Sequence, residues 1–226
     1  MIALVASLAA AALLVGLWLF TARRHAFRRR AKFIRSYAFP SAIFDKLRDK
    51  HPQLDAAQLR MVDRGLRSYF LFYLRSGFAT LGMPSKVIDD LWHEFILDTR
   101  AYQAFCHQAF GRFFHHIPSG QIGKTGRQDD SLGRTWRLGC LAENLDPGKS
   151  KRLPLLFAID GALAIAGGRL HDAAALRARA PKPDKGGGGC AGGGCAGAGA
   201  CAGSGCSGGG CSGGGGCGGG GCGGGN

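Results

Sequence analysis

Three kinds of side chain are missing from this 226-residue chain, each from a different stretch. From Ile2 to Phe20 there is no charge, from Thr21 to Tyr37 no acid, and from Gly186 to Asn226 no large apolar group. The first absence excludes a water-facing segment. The second excludes a charge-balanced surface, and the third a folded core, because nothing there offsets the entropy of ordering the chain. Cysteine is scarce outside the tail, with only Cys106 and Cys140, and no Cys-x-x-Cys occurs. That excludes a disulfide-stapled domain and a zinc finger.

Motifs that would declare an enzyme are also missing. The Gly-Lys-Thr at 123–125 lacks the glycine a phosphate-binding loop requires five residues before Gly123, where Pro118 stands. The His93-Glu94 pair lacks the second histidine of a metalloprotease helix, because Leu97 occupies its place. There is no kinase set, and Asp89-Asp90 reads as a solvated pair on a helix surface.

What is present divides the chain into four parts. Residues 1–20 are expected to form a transmembrane helix, since 19 uncharged residues at about 1.5 Å each nearly span a hydrocarbon core of about 30 Å. Trp18 lies where interfacial aromatics collect. A cleaved secretory signal would begin with bases, whereas here the bases follow the apolar run. Residues 21–38 are a basic juxtamembrane segment, with Arg23, Arg24, Arg28, Arg29, Arg30, Lys32 and Arg35 contributing half of the net charge of +14. Those bases suit the anionic headgroups of membrane lipids at roughly 1 kcal/mol each. Nucleic acid is the less suitable partner, given their position beside a membrane helix. The positive-inside bias then places the chain as a single-pass protein of the inner (plasma) membrane of a bacterial type, N-terminus out, with domain and tail cytoplasmic.

Residues 39–180 read as a small, mainly α-helical globular domain. Leu59, Val62, Leu66, Tyr69, Phe70 and Tyr73 recur at three- and four-residue spacing and mark an amphipathic helix, capped by Asp55 and ended by Gly77. A shorter helix is expected over Ser41 to Lys50. A third stretch begins after Pro84-Ser85, divides at Asp98-Thr99 with a hydroxyl cap on its second half, and ends at Gly111. Residues 119–133 are expected to be a loop. In 153–167, "LLFAI" and "ALAIA" flank Asp160-Gly161 and suggest one β-hairpin. A terminal helix is expected from Arg169 to Arg179.

Residues 181–226 are expected to be a disordered Gly/Cys-rich tail. It carries Cys190, Cys195, Cys201, Cys206, Cys211, Cys217 and Cys222 at spacings of five or six. These thiols suit zinc or copper(I), redox cross-linking, or a precursor-like role as substrate for cysteine-modifying enzymes. In the domain, His93, Cys106, His115 and His116 are the candidate metal ligands. On one unbroken helix His93 and Cys106 would lie nearly 20 Å apart, so a turn near Thr99 must bring them together. The competing reading makes Trp92 and Cys106 core residues and leaves the histidines to local hydrogen bonds.

The stretch from Pro84 to Pro118 resembles the glycine-rich domain-containing protein-like family, with Asp89, Trp92, His93, Tyr102 and Cys106 matching its Asp-x-x-Trp-His, Tyr and Cys positions. Phe95 stands where that family commonly has a second histidine. The resemblance implies a coherent domain and no particular reaction. The function expected is a membrane-anchored, non-enzymatic metal- or thiol-handling protein whose domain docks a protein partner. The alternative is an enzyme or accessory that uses His93 as base and Cys106 as nucleophile.

Overall fold

The long helix that opens the chain does not stop where the apolar run does. In the computed structural model, which describes residues 2–116 and 128–179 (side chains of 2–10, 12 and 128–130 excepted), α1 runs unbroken from Ile2 to Ser36. Its last turns bury Ala31 and Ile34, so part of the basic segment is also a wall of the core. Arg and Lys occupy the other faces of those turns, which leaves the helix continuous while its surroundings change. Among the described residues no helix is long and apolar enough to cross a membrane. From Leu13 to Phe20, where side chains are described continuously, the apolar run covers about 12 Å, less than half a span.

After α1 come α2 (Ser41–Lys50), α3 (Ala56–Arg75), α4 (Lys86–Leu97) and α5 (Thr99–Phe110). Then follow α6 (Gln128–Ala142), α7 (Leu155–Ala162) and α8 (Ala173–Arg179). The central element is α3. Its expected stripe is buried throughout, and it packs on α1, α4, α6 and α7. Asp55 and Gln58 close a reciprocal capping box at 2.7 and 2.9 Å. A side chain at Gly65 would put a Cβ 2.4 Å from Ile88, which is why α3 and α4 can approach so closely.

The break between α4 and α5 falls at Asp98 as expected, but the cap is the Asp98 carboxylate, which accepts from Ala101 N at 3.3 Å, and not a hydroxyl. Gly111 ends α5 at φ 71°, in the left-handed region glycine tolerates best.

Two expectations fail. The expected loop at 119–133 is helix from Gln128 onward. Its polar face is turned inward, since Thr135 Oγ1 donates to Gly82 O at 2.8 Å and Gly82 N donates to Ser131 O at 3.1 Å. Small polar residues there fit a close approach that a hydrophobic pattern does not reveal. The hairpin does not exist either: no strand occurs among the described residues, and Leu155–Ala162 is helical after Pro154. Asp160 is not a turn residue but a buried carboxylate. It accepts from Ser85 Oγ (2.6 Å), Lys86 N (2.6 Å), Val87 N (3.2 Å) and Arg169 N (2.8 Å). The orphan amides at the start of α4 are thus satisfied from another helix. The last helix begins at Ala173, capped by Asp172, because Arg169 is drawn off to other partners. The Gly-Lys-Thr at 123–125 and the tail lie outside the described residues.

Asp160→Ala would leave four buried or half-buried donors without an acceptor and should destabilise the fold by on the order of 3 kcal/mol or more. Chemical denaturation of the full chain in detergent micelles, followed by helical circular dichroism, checks this; an unchanged midpoint would show that the capping is dispensable.

Candidate metal centre at Asp89, His93 and His116

Because α4 starts at a fixed point, the direction of each of its side chains is fixed as well. Asp89 and His93 stand four residues apart and share one face. Beside them, Trp92 enters the core, where its indole donates to Tyr102 Oη at 3.2 Å, and Tyr102 in turn donates to the Phe114 carbonyl. Phe114 stacks on Tyr73 with ring centroids 3.6 Å apart. This relay pins the chain after α5 and delivers His116, two residues on, to the face of Asp89 and His93. The His116 ring lies 4.7 Å from Trp92 and 4.2 Å from His93.

Asp89 is the hub. Its Oδ1 accepts from His116 Nε2 at 2.9 Å, and its Oδ2 from Arg169 Nη2 at 3.1 Å. Burial alone would raise its carboxyl, but the His116 hydrogen bond and the Arg169 and histidine charges hold it below the ordinary carboxylate range. His93 Nδ1 lies 2.7 Å from the Asp89 carbonyl, which can only accept, so Nδ1 carries a proton and, in the neutral ring, Nε2 is the nitrogen with the lone pair. That is how a ligating histidine is oriented by its outer shell. Asp89 and His116 side chains are each 14% exposed, whereas His93 is 46% exposed.

One donor atom from each of the three lies within 4.8 Å of the other two. Ligands about 2.0–2.1 Å from zinc stand roughly 3.3 Å apart, so binding would move the exposed His93 inward and replace the 2.9 Å His116 Nε2–Asp89 Oδ1 hydrogen bond by bonds to the ion. Two imidazoles and one carboxylate fit a borderline divalent ion with a coordination position left open.

Of the four ligands expected in the domain, the fold brings together two. Cys106 is buried in the core, where desolvation pushes its thiol up, so it is neither a ready ligand nor an activated nucleophile. Cys140 is likewise pushed up to about 11, by burial first and then by Glu143 and Asp146. His115 is exposed and packs on Phe113, outside the group. The expected solvated pair Asp89-Asp90 is neither solvated nor a pair: Asp90 faces Lys86 at 2.6 Å and His51 at 2.8 Å, away from His116. The signal for Asp89 was its spacing of four from His93.

A family model described as UCP032817-like matches residues 29–192, more than half of the chain. The chain belongs to the UCP032817-like family. This corrects the resemblance to the glycine-rich domain-containing protein-like family. The shared Trp, Tyr and Cys positions are core residues whose packing any helical domain could require, so they do not diagnose a family. No curated protein and no solved structure matches the chain. The matched span of this UCP032817-like protein begins within α1 and contains all of Asp89, His93, His116 and Arg169.

A carboxyl lowered in the folded state contributes stability that is full above the unfolded value of about 3.9 and is lost as pH falls through the folded value. With chelator present, Asp89→Asn should therefore remove part of the acid-side loss of stability and cost about 2 kcal/mol near neutrality. Melting curves between acid and neutral pH check both; identical acid limbs would remove Asp89 from the linkage.

Proposed function

We propose that this protein is a membrane-anchored, non-enzymatic metal-handling protein whose helical domain holds a borderline divalent ion at Asp89, His93 and His116. The observation that carries the reading is the convergence of those three side chains, with His93 already set in the tautomer that offers Nε2. An open coordination position suits an ion that is passed on, and the tail thiols are the natural acceptors for it.

The anchor is supported by α1. Leu13, Leu14, Val15, Leu17, Trp18, Leu19 and Phe20 are 44–75% exposed. They occupy every face of the helix, so no single docking face on another domain would cover them, whereas a bilayer covers all sides at once. Joined to the apolar residues before them, the run reaches about 28 Å. Because the same helix ends in the core, the domain is mounted directly on its anchor. The seven bases after Phe20 favour the cytoplasmic side for domain and tail. A partner protein would meet the domain there.

With the accessible tail thiols alkylated, the full chain should retain one equivalent of zinc by elemental analysis, and His93→Ala or His116→Ala should weaken it about tenfold or more. His93→Ala should leave the melting temperature unchanged, since its ring is half exposed. No zinc in the alkylated wild type would overturn the domain site. A reporter fused after Asn226 should read cytoplasmic, and a periplasmic signal would reverse the placement.

A further inference from the structure

Asp89 is shared between two claimants. Its Oδ1 faces the histidines, and its Oδ2 is held by a guanidinium that cannot easily leave. Arg169 Nη2 sits 3.1 Å from that oxygen, Nη1 donates to the Met83 carbonyl at 2.8 Å, and the Arg169 backbone N–H donates to buried Asp160 at 2.8 Å. Side chain and backbone are thus both tied, and the positive charge is fixed beside the carboxylate. Asp89 and Arg169 offset each other's charge. A divalent ion arriving at Oδ1 must displace the His116 Nε2 hydrogen bond there, and it meets a carboxylate already paired, two imidazoles and a resident cation.

We infer that Arg169 is a built-in competitor for the ion at Asp89, which anchors the carboxylate, restricts it to one ligating oxygen and keeps the bound ion exchangeable. The inference rests on the metal reading above and specifies which ions the site accepts. Calcium and magnesium demand several oxygen ligands, and a single half-neutralised carboxylate offers one. Copper(I) seeks thiolates, and none joins the group among the described residues. Zinc, nickel and copper(II) accept imidazole and remain. Among them Arg169 acts through charge: like charges sharing one carboxylate repel, and at the half-buried depth of Asp89 that repulsion is only partly screened.

The assignment also explains an arrangement that a purely structural ion pair does not require. Arg169 could pin the segment after α7 through its bonds to Met83 and Asp160 alone. Its third contact, with a carboxylate already bonded to His116, adds a cation where one donor would satisfy the local geometry.

The test uses the full chain in detergent micelles with tail thiols alkylated, and measures zinc affinity by competition with a chromophoric chelator. Arg169→Gln removes the charge and should tighten zinc binding about tenfold or more. Arg169→Lys keeps the charge and should stay within about threefold of the wild type. Asp89→Asn should abolish binding in either background, and excess calcium or magnesium should not displace zinc. Equal or weaker binding by a folded Arg169→Gln would overturn the inference and make Arg169 a positioning residue. Should Arg169→Gln fail to fold, Arg169→Lys decides: loss of affinity there means the fork geometry matters and not the charge. If neither wild type nor any variant binds zinc, the metal reading itself fails. That outcome differs from a site that binds zinc without regard to Arg169.

Discussion

Everything about the site rests on one buried carboxylate that belongs to none of its three residues. Asp160, on α7, closes the N-terminus of α4 by taking Ser85 Oγ and the amides of Lys86 and Val87, and it takes the Arg169 amide as well. It therefore fixes the start of the helix that bears Asp89 and His93 and the point from which Arg169 reaches back to them. A carboxylate in this position is tolerated because it receives several hydrogen bonds and meets the positive end of a helix. Ser85 adds a second, local cap through Ile88 N at 3.2 Å, so α4 is held twice at one end.

The other half of the site comes through the aromatic core. The polar atoms of Trp92 and Tyr102 are buried and must find partners, and they find each other and the Phe114 carbonyl. That relay turns a packing requirement into a positional one, because it fixes the strand of chain leading to His116. Phe70, Tyr73, Phe105 and Phe110 surround it in edge-on and tilted contacts about 5–6 Å apart. These are the separations aromatic rings prefer. The histidine pair is thus set from two directions, His93 from the helix cap and His116 from the core.

The shape of α1 follows from the same logic of shared elements. A helix that is apolar, then basic, then half buried has no internal reason to break. No proline or glycine pair interrupts it before Pro40, and the Arg67 guanidinium accepts its end by donating to the Ile34 and Arg35 carbonyls at 2.9 and 3.1 Å. Arg67 also lies over the Phe39 ring and pairs with Asp63, so the exit from α1 is tied to the middle of α3. The last turns of α1 are therefore part of the domain's core.

How much of this could be read in advance depended on distance along the chain. The sequence by itself determined α2 and α3, the stops of α3 at Asp55 and Gly77, and the division of α4 from α5 at Asp98, because periodicity, capping and glycine stops are set by residues within about four positions of one another. It also singled out His93 and His116. Only the tertiary structure decided that Leu155–Ala162 is a helix, since Asp160 looks like a turn residue until the amides it accepts, more than seventy residues away, are in view. The inward polar face of α6 was hidden for the same reason. Asp89 gained its role, and Cys106 lost its own, through contacts that no local pattern encodes: one was surrounded by His116 and Arg169, the other by the core. Secondary structure here is a short-range property, whereas which carboxylate meets which imidazole is settled when distant helices pack.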